Sequence, residues 1–112
     1  GDAAKPRIQA SIDAFSKVEG FEGYFGLGRG YIFLAHVQEE TSGENVASAL
    51  KYFERARKDA PLNAELLSWI GFCYEQKKET ASAEKFWNEA IRIDASYREK
   101  LRSYRRGTER ER

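Results

Sequence analysis

"EGFEGYFGLGRGYIFLAHVQEE", residues 19–40, places five glycines within eleven positions, Gly20 to Gly30, among aromatic side chains. Two readings compete for it. A glycine-rich turn can cradle phosphate with backbone N–H groups, or a helix can use its glycines where another helix presses against them. The phosphate reading has requirements. A Walker loop ends in Gly-Lys-Ser/Thr, and a dinucleotide loop follows a strand and completes G-x-G-x-x-G. A kinase loop is followed by a lysine-bearing strand. "LGRGYIFLAHV", residues 27–37, meets none of these. The helical reading is left, and the rest of the chain bears on it.

The bulk numbers point the same way. A chain of 112 residues, 41% hydrophobic and 33% charged, suits one globular domain with a modest core. Two prolines and no sustained Val/Ile/Thr alternation predict an all-α chain. A net charge of +1 gives no global pull towards nucleic acid or membrane. The single cysteine, Cys73, excludes an internal disulfide framework. No apolar run approaches the roughly 18 residues of a bilayer span, and no signal-peptide pattern is read. "GDAAKP" and "RGTERER" at the two ends read as the edges of a piece of a longer chain.

Periodicity divides the chain into six helices. A leading helix over 5–19 starts near Pro6 and carries Ile8, Ile12 and Phe15, with Val18 a candidate continuation. A corner at Glu19–Gly23 precedes a second helix that runs to about Glu40 and stops at "TSG". The third carries Val46, Ala49, Leu50, Phe53 and Ala56 at i, i+3, i+4, i+7 spacing. "DAPLN" ends it, with Asn63 free to cap the next helix. The fourth carries Leu66, Leu67, Ile70, Gly71 and Tyr74, and the fifth Ala83, Trp87, Ala90 and Ile91. Ser96-Tyr97-Arg98-Glu99 reads as a capping box opening a sixth helix over 96–107, with Tyr97, Leu101 and Tyr104 as its only apolar seam. Gly107 can end that helix, leaving a charged tail over 108–112.

A repeat organises these helices. Ala49, Phe53, Ala56 and Pro61 stand 34 residues before Ala83, Trp87, Ala90 and Ala95. Residues 64–97, "AELLSWIGFCYEQKKETASAEKFWNEAIRIDASY", are one period long. Leu67, Ile70, Gly71 and Tyr74, followed by Ala83, Trp87 and Ala90, resemble the W-x-x-L-G-x-x-Y and A-x-x-x-F-x-x-A positions of the tetratricopeptide repeat (TPR). Leu67 stands where that family has tryptophan, and Ala95 where proline is usual. Leu27-Gly28-Arg29-Gly30-Tyr31 is similar to the same L-G-x-x-Y signature, which accounts for part of the glycine cluster.

The resemblance implies an antiparallel helix-hairpin stack, a TPR-like α-solenoid: an elongated hairpin over 21–60, a regular hairpin over 64–95 and a capping helix, in one domain spanning 1–107. The first hairpin departs from the pattern, since Gly28 lies 43 residues before Gly71. A second register sets Leu34-Ala35 at the L-G/A pair. Residues 28 and 35 are a heptad apart, so both can face the third helix, with Ala35 near Ala49 and Gly28 near Ala56. The second helix is then expected to exceed a standard TPR helix by about two turns. Its remaining glycines, Gly23, Gly26 and Gly30, each cost up to about 1 kcal/mol relative to alanine. That cost implies close contact with the first helix, or a fraying start.

By the same resemblance the first helices of the hairpins line a groove for a partner peptide or helix. The implied groove residues are Phe25, Arg29, Ile32, His36 and Glu39 on the second helix, and Ser68, Phe72 and Glu75 on the fourth. They make an aromatic-aliphatic groove of mixed charge. The lysine-asparagine set with which some members clamp a C-terminal carboxylate is missing, which argues against chaperone tails.

Other chemistry finds little purchase. His36 is the only histidine, so neither a His-His metal pair nor a His-containing triad forms within the chain. Cys73 reads as a buried structural residue, and the carboxylates are scattered. The expectation is no enzyme, no cofactor and no metal. "YREKLRSYRRGTERER" is rich in arginine, but its interspersed glutamates argue for a solvated helix and against nucleic acid. The leading expectation is a non-catalytic protein-interaction module, an adaptor or scaffold. The alternative is homo-oligomerisation through the same aromatic face or the exposed first helix, as a homodimer or as part of a larger assembly.

Overall fold

Six helices carry residues 3–111, the part of the chain described by a computed structural model: α1 Ala4–Phe15, α2 Gly20–Val37, α3 Ser42–Asp59, α4 Ala64–Gln76, α5 Thr80–Ile93 and α6 Tyr97–Glu111. A 3-10 turn at Glu39–Thr41 links α2 to α3, and the described residues contain no strand. The chain is all-α.

Local chemistry sets the boundaries. α1 and α2 join through Gly20, whose φ of +78° is the left-handed conformation that glycine adopts without a Cβ penalty. Asn63 caps α4, its side-chain oxygen accepting from the Leu66 N–H at 2.9 Å. α4 closes in a Schellman turn, with the Glu79 N–H donating to the Tyr74 carbonyl and the Lys78 N–H to that of Glu75. Lys78 supplies the left-handed residue of this turn, at φ +64°.

Consecutive helices pack against one another in antiparallel pairs. Gly23, Gly26 and Gly30 of α2 meet Val18, Phe15 and Ile12, one partner's number falling as the other's rises. Gly28 and Tyr31 meet Phe53 and Tyr52 across α2 and α3. Ser68 and Tyr74 meet Trp87 and Phe86 across α4 and α5. α6 runs antiparallel to α5, with Trp87 beside Tyr104 and Glu84 beside Arg105.

Small residues make the close approach possible. Ala49, Ala56, Ala83 and Ala90 are fully buried. At Gly26, Gly28 and Gly71 an added Cβ would collide with the rings of Phe15, Phe53 and Trp87 respectively. α2 therefore presents glycine to two neighbours at once, Gly26 and Gly30 to α1 and Gly28 to α3. The closeness to α1, rather than a frayed start, is what offsets the helix-propensity cost of these glycines. The main core holds Phe53, Leu66, Leu67, Ile70 and Cys73 at zero exposure, and a smaller cluster of Ile12, Leu27 and Leu34 seals α1 onto α2.

Several boundaries differ from the sequence reading. α1 stops at Phe15, where Ser16 turns its hydroxyl back to the Asp13 carbonyl; Val18 lies beyond it and is 46% exposed. α2 ends at Val37 and Ser42 already belongs to α3, so "TSG" begins a helix as much as it ends one. α2 is 18 residues long against 13 for α4. Gly28 meets Phe53, one turn before Ala56. α6 passes through Gly107 and continues to Glu111. Of the tail expected over 108–112, Arg112 lies outside the described residues. The capping box does not form. Ser96 donates its hydroxyl and its N–H to Asp94 Oδ1, at 2.7 and 3.0 Å, while Glu99 pairs with Arg102 and Arg106. Asp94 captures Ser96 in an Asx turn before the helix starts, and these two hydrogen bonds hold the Asp94 carboxyl below its usual pKa.

Candidate functional site

α2 and α4 place equivalent triplets beside one another: Ile32, Phe33 and His36 from α2, and Ser68, Trp69 and Phe72 from α4. α6 forms the far wall with Tyr97, Lys100, Leu101 and Tyr104, and Trp87 of α5 closes the floor. The groove, open to solvent on one side, has a volume of about 400 Å³. A smaller recess of about 160 Å³ continues past Ile32, His36 and Phe72 towards Val46 and Gln76.

Aromatic edges build the walls. Phe33 meets Trp69 edge-on at 6.2 Å, Trp69 meets Phe72 at 6.4 Å, and Phe72 meets Tyr104 at 5.5 Å. These T-shaped contacts set ring edges against ring faces, the arrangement that aromatic quadrupoles favour. Phe33 is nevertheless 50% exposed at the groove rim, so a large apolar surface remains facing water. Tyr104 ties α6 down by donating its hydroxyl to Glu75 Oε1 at 2.6 Å.

Of the eight expected groove residues, the fold gathers Ile32, His36, Ser68 and Phe72 around this space. The other four stand elsewhere. Phe25 is 7% exposed and packs on Phe53 in the core, 5.9 Å between ring centroids. Arg29 lies with its guanidinium 4.6 Å above the Phe25 ring, and its Nε is buried with no hydrogen-bond partner among the described residues. Glu39 sits in the 3-10 turn, exposed. Glu75 spends its carboxylate on Tyr104. The groove consequently has no carboxylate on its wall. Besides the polar atoms of its tyrosines and tryptophans, it offers His36, Ser68 and Lys100, the last with Nζ 4.4 Å from the centroid of Tyr97.

Phe33, Trp69 and the α6 seam were missing from the sequence reading of the groove. Phe33 and Trp69 each follow an expected groove residue by one position. Neighbours on a helix differ by about 100° in direction, so a groove wide enough to reach α6 takes both. The aromatic identity of both residues, directly after Ile32 and Ser68, was the signal available.

The remaining chemistry is spare. Cys73 is fully buried, and desolvation pushes its thiol up to about 12 despite a partly opposing effect of Lys77. A thiol so placed is a poor nucleophile. Tyr97 is also raised, first by partial burial and then by Glu65 and Asp94. Among the described residues no three of His, Cys, Asp and Glu gather as a metal-holding group, and no helix is long and apolar enough to cross a membrane. No protein-family model, curated protein or solved structure matches the chain.

Proposed function

We propose that the chain is a TPR-type, non-catalytic protein-interaction module whose groove between α2, α4 and α6 receives an apolar segment of a partner protein. One observation carries the reading: a 400 Å³ groove walled by Phe33, Trp69, Phe72 and Tyr104, with Phe33 left 50% exposed. Exposed aromatic surface of this size is costly in water and is repaid when a partner covers it. The 34-residue spacing of Ala49, Phe53 and Ala56 to Ala83, Trp87 and Ala90 supports the TPR assignment, and all six are buried. The cationic and neutral polar rim, with no carboxylate, favours a segment that sets one acidic residue beside its apolar anchors.

Selection from a displayed random-peptide library tests this. Peptides rich in aromatic and aliphatic residues are expected, and their binding should fall with Phe33→Glu but persist with Leu62→Glu, an exposed apolar residue outside the groove. Peptides captured equally by both variants would sink the proposal. Phe25→Glu is not a usable probe, because Phe25 belongs to the core.

A further inference from the structure

On α3, away from the groove, a second cleft of about 670 Å³ is built from charge. Lys51, Arg55 and Lys58 follow one another at i, i+4 and i+7, which puts all three on one face of α3. All three are exposed, and none has an ion pair among the described residues. Glu54 is the one carboxylate lining the cleft, and Arg57 holds it at 3.0 Å. Arg57 itself lies over Phe86. Three cations are therefore uncompensated. Lys58, in the last turn, is favoured by the negative end of the helix dipole. Lys51 and Arg55 stand further back and, four residues apart, repel each other without that gain.

Two tyrosines complete the cleft, and their engagement decides what it can take. Arg55 lies over the Tyr24 ring at 4.8 Å, and Tyr52 is stacked on Tyr31 at 5.7 Å with Lys51 at 6.0 Å from its centroid. A single-stranded nucleic acid gains much of its affinity by stacking bases on open aromatic faces. Here a base would first have to displace Arg55 or Tyr31. The cations, by contrast, keep exposed side chains for carboxylates, which need no ring.

We propose that this face of α3 binds an acidic, Asp/Glu-rich segment of a partner protein, through Lys51, Arg55 and Lys58. The surface is distinct from the groove and does not depend on it.

Fluorescence anisotropy with a labelled oligoglutamate peptide and the full chain is the test. Binding that weakens with added salt is expected, as for exposed charge pairs. The variant K51Q/R55Q/K58Q should weaken it by about 10-fold. R98Q/R102Q, which removes as exposed a pair of cations on α6, should leave it unchanged. Glutamine keeps the helix propensity of lysine and arginine, so the triple variant should retain its circular dichroism. If it does not, K51Q/K58Q carries the same test with a smaller loss, since it leaves Arg55 on Tyr24. The proposal is overturned if the α3 variants bind as the parent does. It is equally overturned if R98Q/R102Q weakens binding as much, or if a single-stranded oligonucleotide binds more tightly than the peptide.

Discussion

Gly28 of α2 and the ring of Phe53 on α3 occupy one shared space, and Gly71 of α4 and the indole of Trp87 on α5 repeat the arrangement in the next hairpin. In the second pair the closeness also brings the Trp87 Nε1–H to the Ser68 carbonyl, which accepts it at 3.3 Å. Two rings spaced 34 residues apart are thus each seated in the notch left by a missing side chain. Gly28→Ala and Gly71→Ala should each destabilise by about 1–3 kcal/mol from overpacking, outweighing a helix-propensity gain of up to about 1 kcal/mol. Gly107, exposed on α6 with open space where its Cβ would be, should show the opposite sign, a gain of up to about 1 kcal/mol on Gly107→Ala. Urea unfolding measures all three. Equal shifts at the three positions would remove the distinction.

Lys78 makes a second backbone prediction. It holds φ +64° in the turn that closes α4, the position that helices usually give to glycine. Its side chain is exposed and makes no hydrogen bond or ion pair among the described residues, so no side-chain contact adds to the backbone hydrogen bonds of the turn in offsetting the left-handed conformation. Lys78→Gly is expected to stabilise by about 0.5–1 kcal/mol, less than the full left-handed penalty because glycine gains entropy when unfolded. Thermal unfolding at constant pH reports it. A fall in midpoint would mean that Lys78 contributes something its geometry does not reveal.

Much of this architecture was legible beforehand. Small residues and aromatics at fixed spacing told which faces are buried, and Ala49, Phe53, Ala56, Ala83, Trp87 and Ala90 all lie within the core. Helix ends were less legible, because they depend on single local competitions. Ser96 could cap α6 in partnership with Glu99, but Asp94 lies two residues away and takes both its donors first. Gly107 could end α6, yet the helix continues through it. The groove was half legible for a related reason. Helical spacing finds the residues pointing between α2 and α4, but α6 crosses that space, and its Tyr104 draws Glu75 out of the groove wall. Phe25 was expected in the groove beside Phe72. α3 covers the first and leaves the second at the groove.

Burial of Cys73 gives a pH signature. Its thiol is held near 12 in the folded chain, against about 8.5 when unfolded. The unfolded state therefore releases this proton first as pH rises. Below about pH 8.5 the contribution is fully present, and between there and about 12 stability falls by up to about 1.4 kcal/mol per pH unit. Tyrosines and lysines titrate in the same range, so the difference between the parent and Cys73→Ala isolates the effect. The variant should be less stable at neutral pH, from lost packing, and the gap should narrow as pH rises. Parallel curves would show that the thiol is more accessible than its burial implies.

α6 offers the last test, because its attachment rests on so few residues. Tyr97, Leu101 and Tyr104 are its half-buried seam, and no described side chain of α6 is fully buried. Tyr104 does most: its ring packs on Phe72 and Trp87 while its hydroxyl donates to Glu75. Tyr104→Phe keeps the ring and loses that hydrogen bond, at about 1 kcal/mol. Tyr104→Ala removes both, and α6 should then open locally while α4 and α5, closed by Leu66, Leu67, Ile70 and Trp87, stay protected. Native-state hydrogen exchange is the discriminating measurement, since it separates local opening from global unfolding. Amides of residues 101–107 should lose protection in Tyr104→Ala, with those of residues 68–76 unchanged. The opened α6 would also uncover Trp87 and Phe72, so binding of a hydrophobic dye should increase in step. If protection instead fell uniformly along the chain, α6 would be part of the cooperative core, and the groove wall it forms would be as rigid as α2 and α4.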